Sequence, residues 1–261
     1  MSEHQKVALI TGAARGIGLA AARRFLEEGW QVALLDIDGA AQEAAVEALG
    51  RPDDTMAIAA DVSDPGAVAR AVAATEACFG RIDALVNNAG TAVFKPLLET
   101  THEEWQRVLA VNLGGPFLMT NACAPVMAKT GGGAIVNITS ISGFRASTLR
   151  VAYGTSKAAL KHLTKQQAVE LAHLGIRANA VAPGPVDTAM AKAVHSDAIR
   201  ADYRDAIPLE RYGLEEELAD AIFYLCSDRA SYVTGQVLGV DGGFDAAGIG
   251  LATLRRDMRG D

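Results

Sequence analysis

A doubly wound α/β fold is what this sequence predicts, and three observations predict it. Short apolar runs recur along the 261 residues, each followed by a helical pattern. The runs are nearly continuous Val, Ile, Leu and Ala, which suits strands covered on both faces, as in parallel sheets. No internal repeat, charge block or Pro/Ser-rich linker offers a place to divide the chain. Unbroken alternation of strand and helix predicts one domain over 1–261.

Lys6 to Thr11 (KVALIT) reads as the first strand, feeding a helix from Gly16. Gln31 to Asp36 is the second, with a helix from Gly39, and Thr55 to Asp61 the third. The next helix starts cleanly at SDPGAV, with Asp64 as N-cap and Pro65 at the first helical position. Strands at Asp83 to Asn88, Ala134 to Thr139, Ile176 to Ala182 and Gln236 to Asp241 complete the sheet. Helices beginning near Glu103, Tyr153 and Glu215 lie between them. The tail, 244–261, has weak patterning and reads as a docking arm or a partly disordered end.

Composition narrows the function classes. Half the residues are hydrophobic, 5% are aromatic and the formal net charge is −7, which argues against nucleic acid or an anionic membrane as the main partner. Cys78, Cys123 and Cys226 form no CxxC and each reads as a small buried hydrophobe. His102, His162, His173 and His195 show no ligand spacing, so no metal is expected. Trp30 and Trp105 read as packing residues. Without a leader or an 18-residue apolar run, the chain is expected to be soluble and cytoplasmic.

TGAARGIG, Thr11 to Gly18, joins the first strand to the first helix. Gly12, Gly16 and Gly18 there let the backbone turn tightly and approach a pyrophosphate at the helix N-terminus. Asp36 ends the second strand, where a carboxylate accepts from ribose hydroxyls and repels a 2′-phosphate, and Ile37 adds no positive charge. That favours NAD over NADP, although Arg15 offers a phosphate partner. Asp61, at the end of the third strand, is placed either to bond adenine or to cap the next helical segment.

Taken together, the motifs resemble the short-chain dehydrogenase/reductase family, in its branch of about 250-residue subunits. The carriers, in order, are the glycine turn, NNAG at Asn87 to Gly90, Asn112 in VNLGG and Ser140 in NITSISG. Tyr153 and Lys157, PGPVDT at Pro183 to Thr188, and a closing VDGG come after them. The resemblance implies a Rossmann-type sheet of seven parallel strands in order 3-2-1-4-5-6-7, an NAD(P)-dependent oxidoreductase of secondary alcohols or carbonyls, and a homotetramer. It implies cofactor contacts from Gly12, Arg15, Gly16, Ile17, Gly18, Asp36, Asp61, Val62, Asn88, Ala89 and Gly90. Further contacts would come from Tyr153, Lys157, Pro183, Gly184, Val186 and Thr188. Asn112 would anchor a proton-relay water, Ser140 hold the substrate oxygen, Tyr153 exchange its proton, and Lys157 bind the nicotinamide ribose and lower the Tyr153 pKa.

The chemistry agrees with those residue types. A phenol titrates near pH 10 and is a poor base at neutral pH, whereas a cation within about 4 to 6 Å favours the phenolate. Tyr153 and Lys157, four apart on a helix, share one face. A Ser hydroxyl donates or accepts, so Ser140 can orient the oxygen in either direction. The pocket is expected between Ser140 and Tyr153 and under a flap at about 187–210. Ser142, Arg145 and Arg150 are substrate candidates, the guanidiniums for a carboxylate, sulfonate, phosphate or sugar hydroxyls. The polar flap favours a small polyol, sugar or hydroxy acid. An NADP-dependent carbonyl or 3-oxoacyl reductase is the alternative, and a non-catalytic dinucleotide-binding regulator a third.

Overall fold

The computed structural model describes residues 5–258. Residues 1–4, the first of the segment read for a leader, and the last residues of the tail, 259–261, lie outside the described residues. Seven strands form one sheet: β1 (Val7–Thr11), β2 (Gln31–Asp36), β3 (Thr55–Ala59), β4 (Ala84–Asn87), β5 (Gly133–Ile138), β6 (Ile176–Pro183) and β7 (Val237–Val240). Their order is β3-β2-β1-β4-β5-β6-β7 and every pairing is parallel. The helices are α1 (Gly16–Glu27), α2 (Gly39–Leu49), α3 (Pro65–Phe79), α4 (His102–Leu109), α5 (Gly115–Lys129), α6 (Val151–Leu171), α7 (Ala189–Val194), α8 (Asp197–Ala206), α9 (Glu215–Cys226) and α10 (Ala252–Asp257).

Strand alternation divides the core in two. Ala8 and Ile10 point to a layer shared with Phe25 of α1, Ala45 of α2 and Ile222 of α9. Leu9 points the other way, to Val72 of α3, Met119 and Met127 of α5 and Ala168 of α6. Trp30 packs edge-on against Phe25 and Phe223, at 5.1 and 6.0 Å between ring centroids. Leu9 pairs with Ala33 of β2 on one side and Leu85 of β4 on the other, so the strand order reverses about β1. Such a reversal opens a crevice at the C-terminal ends of the strands, where open α/β sheets bind ligands.

Several boundaries differ from the sequence reading. β3 stops at Ala59, and Asp61 turns the chain by accepting from the Ser63 amide and hydroxyl at 2.8 and 2.7 Å. The long helix begins at Val151, two residues before Tyr153. α5 is absent from that reading because Gly114, Gly115 and Pro116 look like a break and its 15 residues are apolar on most sides. In fact a π-helical turn at Ala110–Gly114 links α4 to α5. Cys78 is exposed, whereas Cys123 and Cys226 are buried and burial pushes both thiols up to about 12. The tail docks on the flap: Arg255 donates to the Asp205 carbonyl, and Arg256 pairs with the Asp205 carboxylate at 3.3 Å.

Candidate active site

The glycine turn is shaped by close approach. Gly12 has φ +63, and a Cβ there would stand 2.8 Å from the Ala89 Cα; a Cβ on Gly18 would meet the Gly12 carbonyl oxygen at 2.3 Å. Asn88 locks this contact, its Nδ2 donating to the Thr11 and Gly12 carbonyls at 3.0 and 2.9 Å. The Asn88 and Ala89 amides donate to the Thr11 hydroxyl, both at 3.0 Å. The loop after β4 is thereby fastened to the loop after β1. Among the described residues no side chain caps the start of α1, and its first turn holds no acidic residue, which leaves its first amides open to an anion. Ile17 packs against the core beside it.

Asp36 sits at the end of β2. Its carboxylate accepts from the Ala14 and Asp38 amides, each at 3.1 Å, which holds an acceptor at the edge of the glycine turn. Arg15 donates to Asp38 across 2.6 Å. The guanidinium expected to meet a phosphate is therefore already paired with an acid. Val62 is buried beside the crevice, and Asp61 is engaged with Ser63.

On the far side of the crevice, α6 presents Tyr153 and Lys157. Burial pushes the Tyr153 hydroxyl above its usual value, while a hydrogen bond with Ser140 and the charge of Arg150 pull it down. The Lys157 ammonium is buried, donates to the Ile138 carbonyl at 2.7 Å, and lies 5.7 Å from the Tyr153 ring centroid. Burial lowers it to about 8. Arg150, which the sequence places in the substrate loop, thus joins Lys157 beside the phenol, its Cζ 5.9 Å from the Tyr153 ring centroid. Ser140, also buried, accepts from the Ser142 amide at 3.1 Å.

Asn112 lies fully buried in the π turn. Its amide donates to the Thr91 carbonyl and the Ser156 hydroxyl, at 2.9 and 3.0 Å, and accepts from the Thr91 amide at 2.8 Å. Its side chain is spent tying the loop after β4 to α6. Gly90 brings the backbone beside this pair, with a Cβ position 3.4 Å from Asn112 Oδ1 and 3.6 Å from Lys157 Nζ. Pro183 ends β6, the Gly184 amide donates to Val240, Val186 is buried, and Thr188 caps α7 through the Ala191 amide.

The three substrate candidates line one cavity but have different partners. Ser142 shares a hydrogen bond with Ser147 at 3.0 Å. Arg145 donates to the Phe244 carbonyl at 2.7 Å and stacks on that ring, so it faces the tail. Arg150 stays beside Tyr153. That cavity, of about 480 Å³, is lined by Ser142, Arg145 and Arg150 together with Gly154, Thr155 and Ala158 of α6; Tyr153 and Ser140 border it in sequence but do not line it. His195 of the flap contacts Tyr212 at 3.1 Å. A buried chain of amides and hydroxyls, Asn87–Asn137–Gln167–Thr120 with Thr164, runs beneath the site. The sequence reading missed it, although Asn137 in the middle of an apolar strand was its signal.

A glycine-lined crevice at the strand reversal, beside a Tyr–Ser–Lys set, defines a nicotinamide-dependent oxidoreductase. The comparisons agree. A family model described as enoyl-(acyl carrier protein) reductase matches residues 12–245. A 3-oxoacyl-[acyl-carrier-protein] reductase from Thermotoga maritima is 42% identical over 91% of this chain and 97% of its own length. A 2-(R)-hydroxypropyl-CoM dehydrogenase from Xanthobacter autotrophicus is 41% identical over 92% of this chain and 99% of its own. A short-chain type dehydrogenase/reductase structure from Mycobacterium ulcerans superposes with TM-score 0.90 at 32% identity, covering 94% of this chain and 92% of the other. The chain belongs to the short-chain dehydrogenase/reductase family and is an oxidoreductase acting on CH–OH and carbonyl groups.

Proposed function

We propose that the protein is an NAD-dependent dehydrogenase of a small polar secondary alcohol, a polyol, sugar or hydroxy acid, working reversibly on the matching carbonyl. The observation that carries this reading is the buried Lys157 ammonium 5.7 Å from the Tyr153 ring centroid, with buried Ser140 on the same side of the crevice. When bound, NAD supplies the hydride acceptor. Ser140 holds the substrate oxygen, and Tyr153 takes the hydroxyl proton in oxidation or gives it back in reduction. Lys157 is placed to hold the cofactor ribose, and Asn112 positions α6 through Ser156.

Gly12, Gly16, Gly18 and the amides of α1 suit the pyrophosphate, and Asp36 suits the adenosine ribose. NAD is favoured over NADP because Asp36 stands at the ribose end while Arg15 is neutralised by Asp38. Asn88, Ala89 and Gly90 would wall the groove, with Pro183, Gly184, Val186 and Thr188 toward the nicotinamide. A 3-oxoacyl reductase is the second reading, favoured by the name of the Thermotoga relative. The charged α8 of the flap speaks for a smaller, more polar substrate.

Among the described residues no helix is long and apolar enough to cross a membrane. A cytoplasmic homotetramer is the expected form; Phe117 and Val169, which stand exposed on α5 and α6, are surfaces that association would cover. Tyr153→Phe tests the mechanism. Turnover should fall by about 10²- to 10⁴-fold, the worth of a positioned acid–base group, with NADH affinity little changed. Undiminished turnover would remove Tyr153 from the reaction.

A further inference from the structure

Arg150 is a basic side chain of the substrate loop that, among the described residues, meets neither an acid nor a backbone carbonyl. Its basic neighbours are committed: Lys95 pairs with Glu104 at 2.6 Å, Arg145 donates to the Phe244 carbonyl at 2.7 Å, and Arg200 pairs with Asp187 at 2.7 Å. Asp187, at the start of the flap, is shared between Arg200 and Lys192. Among the described residues no carboxylate lies within ion-pair distance of Arg150. The guanidinium meets two rings instead, its Cζ 5.0 Å from the Phe94 centroid and 5.9 Å from that of Tyr153. Stacking of this kind leaves the in-plane N–H donors free for a planar acid.

The loop is built to hold it there. Leu149, immediately before Arg150, adopts φ +62, a left-handed conformation costly for a branched side chain. The Leu149 carbonyl accepts from the Lys95 amide at 3.2 Å, and Lys95 bridges to Arg150 itself. Strain of this order persists where the surroundings fix it, and it clusters at ligand clamps. The charge reaches both walls of the site: it opposes part of the larger upward effect of burial on the Tyr153 hydroxyl, and with Arg200 it lowers His195 on the flap after the larger effect of burial.

The geometry points to Arg150 as the residue that grips a carboxylate or sulfonate on the substrate, a short spacer away from the carbinol carbon. The substrate is then an anionic secondary alcohol or its keto form. This rests on Tyr153 being the proton-exchanging group, and narrows the substrate class of that reading.

The test compares wild type, Arg150→Met and Arg150→Lys with NAD. The alcohols are 3-hydroxybutanoate and 2-hydroxypropane-1-sulfonate, set against neutral methyl 3-hydroxybutanoate and butane-1,3-diol. Because Arg150 also bears on the Tyr153 hydroxyl, its loss slows every alcohol, and the ratio of kcat/KM for acid over ester cancels that shared part. Wild type should favour the anions by about 10- to 100-fold, the worth of a charge-assisted pair. Arg150→Met should bring the ratio near one, mostly through KM, and Arg150→Lys should restore part of it. A wild-type ratio near one, or a ratio that survives Arg150→Met, overturns the proposal. A second measurement tracks heat stability of the NADH-loaded protein with butanoate, propane-1-sulfonate or butan-1-ol. Stabilisation by the two anions alone, lost in Arg150→Met, supports the site even without turnover, and then only the dehydrogenase reading fails. Turnover of the neutral alcohols with no anion effect in either assay sinks the anion site and leaves that reading standing.

Discussion

Lys157 donates its ammonium to the Ile138 carbonyl across 2.7 Å, at the end of β5 and beneath Tyr153. The bond fixes the amine beside the crevice, while burial lowers it from its ordinary value to about 8. The unfolded chain therefore holds this proton more tightly than the folded one between about pH 8 and about pH 10. The cost of burying the charge is fully present below pH 8 and is relieved as pH rises through that window. It is on the order of 3 kcal/mol, less what the bond to Ile138 returns. Lys157→Met should thus melt higher than wild type at pH 7 while losing turnover. Calorimetry at pH 7, 8, 9 and 10 should show the gap closing, and a gap that ignores pH would refute the buried-charge account.

Arg15 and Asp38 make a second prediction. Their pair ties up the guanidinium of the glycine turn, so a 2′-phosphate would have to displace Asp38 and face Asp36 as well. Asp38→Ala should free Arg15 and raise NADPH affinity about 5- to 10-fold, with NADH affinity nearly unchanged. Fluorescence titration of both cofactors measures this. Tighter binding of NADPH than of NADH by the wild type would reverse the cofactor assignment.

The fold was legible because parallel strands are buried on both faces and leave long apolar runs, β1 being buried throughout. Asp64 and Pro65 announced α3, and the structure shows the Asp64 carboxylate capping the Gly66 amide. What stayed hidden depended on tertiary contact. The π turn around Asn112 leaves no periodic trace, and α5 lacks a polar face because its exposed side carries Phe117 and Pro125 as well as Asn121. Arg150, three residues before Tyr153, was placed beside it by spacing alone. The partner of Arg145 was hidden, because it depends on the docking of Phe244 from the far end of the chain.

Asn137 carries a third prediction. Its amide accepts from Asn87 at 2.9 Å and donates to Thr164 and Gln167 at 2.9 and 2.7 Å, all out of contact with water. Asn137→Ala strands three buried polar partners and opens a small cavity. The expected loss is about 3 to 5 kcal/mol, or roughly 10 °C in Tm for a chain of this size. Asn137→Asp should also destabilise, since a buried carboxylate has no donor to replace the lost amide geometry. Thermal melts of the two variants check the network, and a Tm within about 1 °C of wild type for both would show it to be dispensable.

The tail makes the last prediction. Phe244 receives Arg145 on its face, with the guanidinium 5.1 Å from the ring centroid, and meets Tyr203 of α8 at 6.0 Å between centroids. Beyond it, Arg255 and Arg256 reach back to Asp205 at the end of the same helix. One segment thus ties the substrate loop to the flap. Each exposed pair alone contributes little, but together they hold α8, a helix with no buried residue of its own. Truncation before Gly248 keeps the Phe244 contact and removes both arginines, so backbone amides of 197–206 should exchange hydrogen about tenfold faster. Phe244→Ala should go further, releasing Arg145 and raising KM several-fold while NADH affinity holds, because the cofactor crevice lies on the other side of Tyr153. Exchange rates in the flap that do not change on truncation would mean α8 is held by the body of the protein and the tail merely rests against it.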